Sequence, residues 1–217
     1  MVGDSTAELT GLGLTRWAAT APERPSVAVR AAPGCGLVPG GERVTPDRSF
    51  RVPVLCSHYL DVRVPRAVRE VRPDVVLVMS SWETQDRRWD GGPVLAPADP
   101  PYRARMVEHL TRLVRSIRDA GASKVVLVLE PEADPFWRAY TSPQEDPGRH
   151  QVLHDVMADA AAADPGHVLL ADVGGWLVGI GGQRDPTLRP DGVHWSPDAA
   201  TLLAADLLGP LLLAAAR

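Results

Sequence analysis

Three residues of this chain have the types and the spacing of a nucleophilic site. Ser5 follows Gly3-Asp4 and precedes a run with helical periodicity. A serine at a strand-to-helix turn is lifted off the backbone beside free helix N–H groups, a setting in which its hydroxyl can attack a carbonyl. Asp191 and His194 stand three apart near the other end, in Pro190-Asp191-Gly192-Val193-His194-Trp195. One short loop can therefore supply a base and the carboxylate that orients it. Taken singly, each has a plainer explanation. Ser5 would be a helix N-cap hydroxyl, Asp191 a turn residue and His194 a surface imidazole. Taken together, they point to a serine nucleophile with His and Asp support. No Gly-x-Ser-x-Gly elbow occurs in the chain, which sets the other common serine-hydrolase plan aside.

Elements that could bring residues so far apart together alternate along the chain. Leu9, Leu12 and Trp17 predict a helix over 6–19, and Ser26–Arg30 reads as a short strand. Pro33 to Gly41 is a loop too rich in breakers to be an element. A helix over His58–Glu70 leads to Val75–Met79, a continuous apolar run suited to a strand covered on both faces. After a long loop, Ser80–Pro101, the stripe Tyr102, Met106, Leu110, Leu113 and Ile117 predicts an amphipathic helix that Gly121 stops. The strand Lys124–Leu129, a polar loop over Glu130–Gly148, a helix over 150–163 and the strand Val168–Ala171 follow. The loop 172–195 carries the Asp-x-x-His, and Ser196-Pro197 is a helix start with N-cap and N1 proline. Alternating strands and helices predict an α/β fold, three layers around a mostly parallel sheet, as a single domain over residues 1–217. Ligands of such folds sit at the carboxyl ends of the strands, where these loops and Ser5 fall. Only Met1-Val2-Gly3 precede Asp4, so the first strand reads as truncated, as in a piece of a longer chain or a late start.

Composition excludes several functions. The 217 residues are 45% hydrophobic, enough to bury a sizeable core. A net charge of −4 with Lys124 as the only lysine and no basic cluster argues against a nucleic-acid partner. No run reaches the roughly 18 apolar residues of a membrane span, and Ala199–Ala216 reads as a buried terminal helix broken by Asp206, Gly209 and Pro210. The start has no signal-peptide pattern, so the chain as it stands reads as cytoplasmic. Cys35 and Cys56 are either two free thiols or one disulfide closing a loop of about twenty residues, worth roughly 3 kcal/mol and pointing to an extracytoplasmic setting. His150 and His154 are one helical turn apart, but Gln151 stands where a zinc motif has Glu and no third ligand is evident. They read as solvated helix histidines, with no metal and no cofactor expected. Trp82, Trp89, Trp137, Trp176 and Trp195 fall outside the predicted core elements. They either form a rim for sugar or acyl groups or anchor loops, with Trp82 the functional one by position. Arg87, Arg88 and Asp90 read as solvated.

Gly3-Asp4-Ser5 and Asp191-Gly192-Val193-His194, with the order of elements between them, resemble the SGNH (GDSL-type) hydrolases over nearly the whole chain. Gly34-Cys35-Gly36 and Trp82-Glu83-Thr84-Gln85-Asp86 are similar to stretches of SGNH domains associated with actinobacterial membrane acyltransferases. The resemblance implies a flavodoxin-like α/β/α sandwich and hydrolysis or transfer of O-linked acyl groups without a metal. It implies Ser5 as nucleophile, His194 as base and then acid, and Asp191 as its orienting group. The Ser5 N–H and that of Gly34 would form part of an oxyanion hole, with Gly36 the alternative glycine. The family's Gly-x-Asn-Asp is replaced here by Ser80-Ser81-Trp82-Glu83, so the asparagine donor is missing. Trp82, Gln85 or Arg87 would have to substitute, since losing such a donor typically reduces turnover by about 100- to 1000-fold. The expected partner is a small-molecule or carbohydrate ester, O-acetyl above all, with a membrane acyltransferase as a possible associate and the chain a monomer. The rival reading is a binding module that keeps the fold without turnover.

Overall fold

A computed structural model of the chain describes residues 1–135 and 142–217. The first half comprises β1 (Val2–Gly3), α1 (Ser5–Thr20), β2 (Glu42–Val44), β3 (Ser49–Arg51), α2 (Val54–His58), α3 (Val64–Val71), β4 (Val75–Met79) and β5 (Asp86–Arg88). The second comprises α4 (Pro100–Asp119), β6 (Lys124–Leu129), α5 (Pro147–Ala163), β7 (Val168–Asp172), α6 (Val173–Gly179), α7 (Pro197–Leu203) and α8 (Gly209–Ala215). The central sheet is parallel throughout, in the order β1-β4-β6-β7.

Period-two alternation in the apolar strands builds two cores, one on each face of this sheet. Val76, Val78, Val125, Leu127 and Val168 face a cluster with Val64 and Val68 of α3, Tyr102, Met106 and Leu110 of α4, and Leu153 and Met157 of α5. Leu77, Met79, Val126, Val128 and Ala171 face the other, with Ala7 and Leu14 of α1, Leu177 of α6 and Ala199, Leu203 and Leu208 near the C-terminus. Burial on both faces is why these strands read as unbroken apolar runs. The result is the three-layer α/β/α arrangement expected of the sequence.

Several local expectations are corrected. Ser26–Arg30 is not a regular strand, although it runs beside β1. The Met1 amine donates to Ala28 O (2.7 Å), and the N–H groups of Arg30 and Ala32 donate to Met1 O and Gly3 O (both 2.8 Å). The next bond of that parallel pattern, Gly3 N–H to Arg30 C=O, is bridged by the Tyr59 hydroxyl, at 2.8 Å from each. A side chain between two backbones interrupts the ladder at that step, and the direct bonds resume at Ala32 N–H. A three-stranded antiparallel sheet, β3-β2-β5, also lies within stretches that carry no apolar alternation. The buried residue at the middle of β2 is Arg43, and that of β5 is Arg87, so periodicity had nothing to detect. α6 was hidden by Gly174, Gly175 and Gly179.

Two prolines inside helices are absorbed by π-helical turns. Tyr59–Arg63 precedes Pro65, and Ala204–Leu208 precedes Pro210. A proline has no N–H and its ring crowds the carbonyl four residues back, so widening the preceding turn lets the helix continue. Residues 197–215 thus form one continuous run, long and apolar enough by composition to cross a membrane. In this fold its Ala199, Ala200, Leu203, Ala204 and Leu208 face is buried against the sheet and α1. Cys35 and Cys56 form a disulfide, Cα–Cα 5.2 Å, that ties the glycine-rich loop to α2.

Replacing Tyr59 by Phe keeps the ring but leaves Gly3 N–H and Arg30 C=O without their bridge. The expected loss is about 1–3 kcal/mol of stability, seen as a lower urea midpoint at unchanged slope.

Candidate active site

Ser5 opens α1 directly after the two-residue strand β1. Asp4, its neighbour, is the N-cap, and Asp4 Oδ1 accepts the Thr6 N–H at 2.9 Å. At such a cap the first helical N–H groups have no intrahelical partner. The Ser5 N–H accordingly has no acceptor among the described residues. Gly3 is required here, because its φ is +139° and a Cβ would lie 1.8 Å from the Met79 carbonyl oxygen. The turn is pressed directly onto β4.

The loop after α6 returns to this turn. Ser5 Oγ lies 2.7 Å from His194 Nε2, and His194 Nδ1 lies 2.6 Å from Asp191 Oδ2. The second oxygen of Asp191 accepts the N–H groups of Val193 (2.9 Å) and His194 (2.7 Å), so the carboxylate shapes the loop as well as facing the ring. Burial acts to raise the Asp191 carboxyl, but the bonds from His194 and Val193 outweigh it and hold it below the usual Asp range. Its contribution to stability is therefore present above the ordinary Asp pKa and lost as pH falls through the lowered value. Ser5, Asp191 and His194 are all half-buried, so the line of three side chains remains open to solvent on one side.

The loop is held from behind. Asp134 N–H donates to Gly192 O (2.8 Å), and Ser196 N–H to Leu188 O (2.8 Å). Arg189 donates to the carbonyls of Glu132 (2.6 Å) and Gln183 (2.7 Å). Trp195 is in the core, edge-on to Trp176 with centroids 6.0 Å apart, and so is not a rim residue. Trp89 packs edge-on against Tyr102 at 5.1 Å, and Trp137 lies outside the described residues.

A second block faces the glycine-rich loop. Glu83, fully buried, accepts from Val38 N–H and from Ser80 Oγ, both at 3.0 Å, fastening that loop to the end of β4. The Gly34 and Gly36 N–H groups have no acceptor among the described residues. Gly36 lies against Trp82 and Glu83, and the Gly34 carbonyl accepts from Arg43 (2.7 Å). Trp82 is half-buried, with the Arg43 guanidinium 3.9 Å from its ring centroid, a cation–π contact. Arg43 was invisible to sequence reasoning, since an arginine in a short polar strand has no distinguishing signal.

Arg87 is corrected in both of its expected roles. It is fully buried rather than solvated, and its guanidinium is committed to the carbonyls of Val38 and Gly40, which removes it as a substitute oxyanion donor. Arg88 pairs with Glu42 at 3.7 Å, while Asp90 is exposed. Gln85 is buried. The helix histidines are not solvated either. His150 is 2% exposed with Nε2 2.8 Å from Gln144 O, and His154 Nε2 lies 3.1 Å from Glu130 O. Burial pushes both imidazoles down, toward the neutral form.

Gly192 supplies a direct test of the loop's seating. Its φ is +74°, and a Cβ would fall 1.7 Å from Asp134 O. Gly192→Ala should lower stability by about 1–3 kcal/mol and carry His194 away from Ser5. The check is a urea midpoint together with the imidazole proton resonances of His194.

No protein-family model matches the chain, and no curated protein matches it. Among solved structures it is similar to the crystal structure of the lipase/acylhydrolase from Enterococcus faecalis, at 21% sequence identity and a TM-score of 0.58. The match covers 94% of this chain and 90% of that one, so the likeness extends over the whole α/β/α fold.

Proposed function

We propose that the protein is a serine-dependent ester hydrolase or O-acyltransferase of the SGNH type, with Ser5, His194 and Asp191 as its catalytic residues. The reading rests on one observation, the unbroken line from Ser5 Oγ through the His194 ring to Asp191 Oδ2, with steps of 2.7 and 2.6 Å. The overall likeness to a lipase/acylhydrolase agrees with it.

In this mechanism Ser5 Oγ attacks the acyl carbonyl carbon as its proton passes to His194 Nε2. Asp191 holds Nδ1–H and stabilises the imidazolium. The Ser5 N–H and that of Gly34 or Gly36 receive the oxyanion. The tetrahedral intermediate collapses, the C–O bond to the leaving alcohol breaks, and that oxygen takes the proton from His194. Water or an acceptor hydroxyl then attacks the acyl–Ser5 ester, giving its proton to His194, which returns it to Ser5 Oγ as the product leaves. An O-acetylated sugar or related natural product is the substrate class that the resemblance supports, with Trp82 at the site as a contact surface. The Cys35–Cys56 disulfide supports an extracytoplasmic setting, in which association with a membrane acyltransferase would be possible.

A binding module without turnover is the second reading, favoured by Trp82 standing where the family carries its oxyanion asparagine. The two separate on one experiment. Fluorophosphonate should label the wild type, and Ser5→Ala should abolish the label and reduce hydrolysis of a short aryl ester by about 10⁴-fold or more. An unlabelled wild type would establish the binding module, and undiminished labelling of the variant would remove Ser5 from the chemistry. Adding a sugar acceptor beside the acyl donor distinguishes transfer from hydrolysis by the esterified product.

A further inference from the structure

Beneath the Ser5 turn lies a group of buried carboxyls that the mechanism above does not use. Asp4 is 1% exposed, Glu130 5% and Glu83 0%. Asp4 and Glu130 meet at one hydroxyl. Thr6 Oγ1 is 2.6 Å from Asp4 Oδ1 and 3.2 and 3.1 Å from Glu130 Oε1 and Oε2. A threonine hydroxyl has a single proton and can donate it to only one of the two. If both carboxyls were ionised, Glu130, with Ser81 as its other side-chain partner, would face the oxygen lone pairs of Thr6 and a second negative charge in a buried site. One of the pair must therefore hold a proton of its own.

Geometry decides which. Asp4 Oδ1 already accepts the Thr6 N–H at 2.9 Å and the shorter hydroxyl bond, as an ionised carboxylate does. It also caps α1, a helix of 16 residues, whose N-terminus favours negative charge. Glu130, the first residue after β6, has no such cap to serve. The surrounding charges agree. Arg43 from β2 lies near Asp4 and Glu83, so a cation faces the Asp4 carboxylate from that side. Burial, then the charge of Asp4, pushes the Glu130 carboxyl well above the ordinary Glu range.

We propose that Glu130 is a positioning residue that keeps its proton at neutral pH and donates it to Thr6, which in turn donates to the Asp4 carboxylate. This chain holds the three consecutive residues Asp4-Ser5-Thr6 in one conformation, and with them the direction of Ser5 Oγ toward His194. Loss of the proton sets a buried carboxylate against Asp4 across Thr6, and the first turn of α1 gives way. The groups facing Glu130 are Asp4 on the turn, Glu83 after β4, Ser81 beside it, His154 on α5, and Arg189 on the Asp191 loop. None of the two cationic or ionisable bases among them bonds the Glu130 carboxyl in the described residues.

The sign follows from the raised value. The contribution of Glu130 to stability is complete below the ordinary Glu pKa and is lost as pH rises through the higher folded value. The consequence for Ser5 rests on the proposed serine chemistry; the protonation does not, so the experiment has two arms. Unfolding free energy and fluorophosphonate labelling rate are followed against pH for the wild type and for Glu130→Gln, which keeps a donor but cannot ionise. In the wild type the unfolding free energy should fall from the ordinary Glu pKa up to the raised folded value and then level off, and the labelling rate should fall beyond that folded value by about tenfold per pH unit. The substitution should remove the fall from both curves. Parallel stability curves for the two proteins would overturn the protonation itself. A flattened stability curve with an unchanged labelling profile would overturn the positioning role, and absence of labelling in the wild type would instead sink the serine mechanism. Should Glu130→Gln fail to fold, carboxyl-carbon NMR of glutamate-labelled wild type decides. A glutamate still protonated at neutral pH is the expected result, and its absence overturns the proposal.

Discussion

The site depends first on how two residues, Val2 and Gly3, are gripped. β1 pairs with Val78 and Met79 on one side, while Tyr59 and the stretch around Arg30 satisfy its backbone on the other. Gly3 has no room for a side chain against Met79 O, so the turn that follows cannot drift outward from the sheet. α1 then starts at a defined place, and Ser5 is its first residue. A two-residue strand has little pairing energy of its own. What holds it is that its own backbone groups find partners on both sides, and an unmet buried N–H would be expensive.

The other half of the site is a loop, and loops need external support to hold a side chain to within a fraction of an ångström. Here the support is mostly backbone. Asp191 ties down its own turn through the N–H groups of Val193 and His194, and Arg189 and Gly192 lock that turn to residues 132–134. The carboxylate that faces the imidazole is thus also the one that shapes the loop carrying it. A substitution at Asp191 would disturb orientation and electrostatics together.

The glycine-rich loop shows a third way of fixing backbone. The Cys35–Cys56 disulfide, the Glu83 carboxylate and the guanidinium groups of Arg43 and Arg87 all end on it. Charged side chains buried this deeply are stable only when paired and hydrogen-bonded. The small antiparallel sheet exists to deliver Arg43 and Arg87 to those carbonyls, and it leaves Trp82 under Arg43 beside the site.

Much of the architecture follows from the sequence by itself. Val75–Met79 and Lys124–Leu129 are too apolar to be anything but doubly covered strands, and the stripe on α4 names its own buried face, because burial dictates period and composition. The pairing of Ser5 with Asp191 and His194 is legible because a serine, an aspartate and a histidine are chemically distinctive types at a distinctive spacing. Only the tertiary structure decided that Arg43, Arg87, His150 and Glu130 are interior, that Tyr59 interrupts the ladder beside β1, and that Pro65 and Pro210 ride on π turns. Each of these is a polar or irregular residue made tolerable by a partner distant in sequence, and such partnerships exist only once the chain has folded.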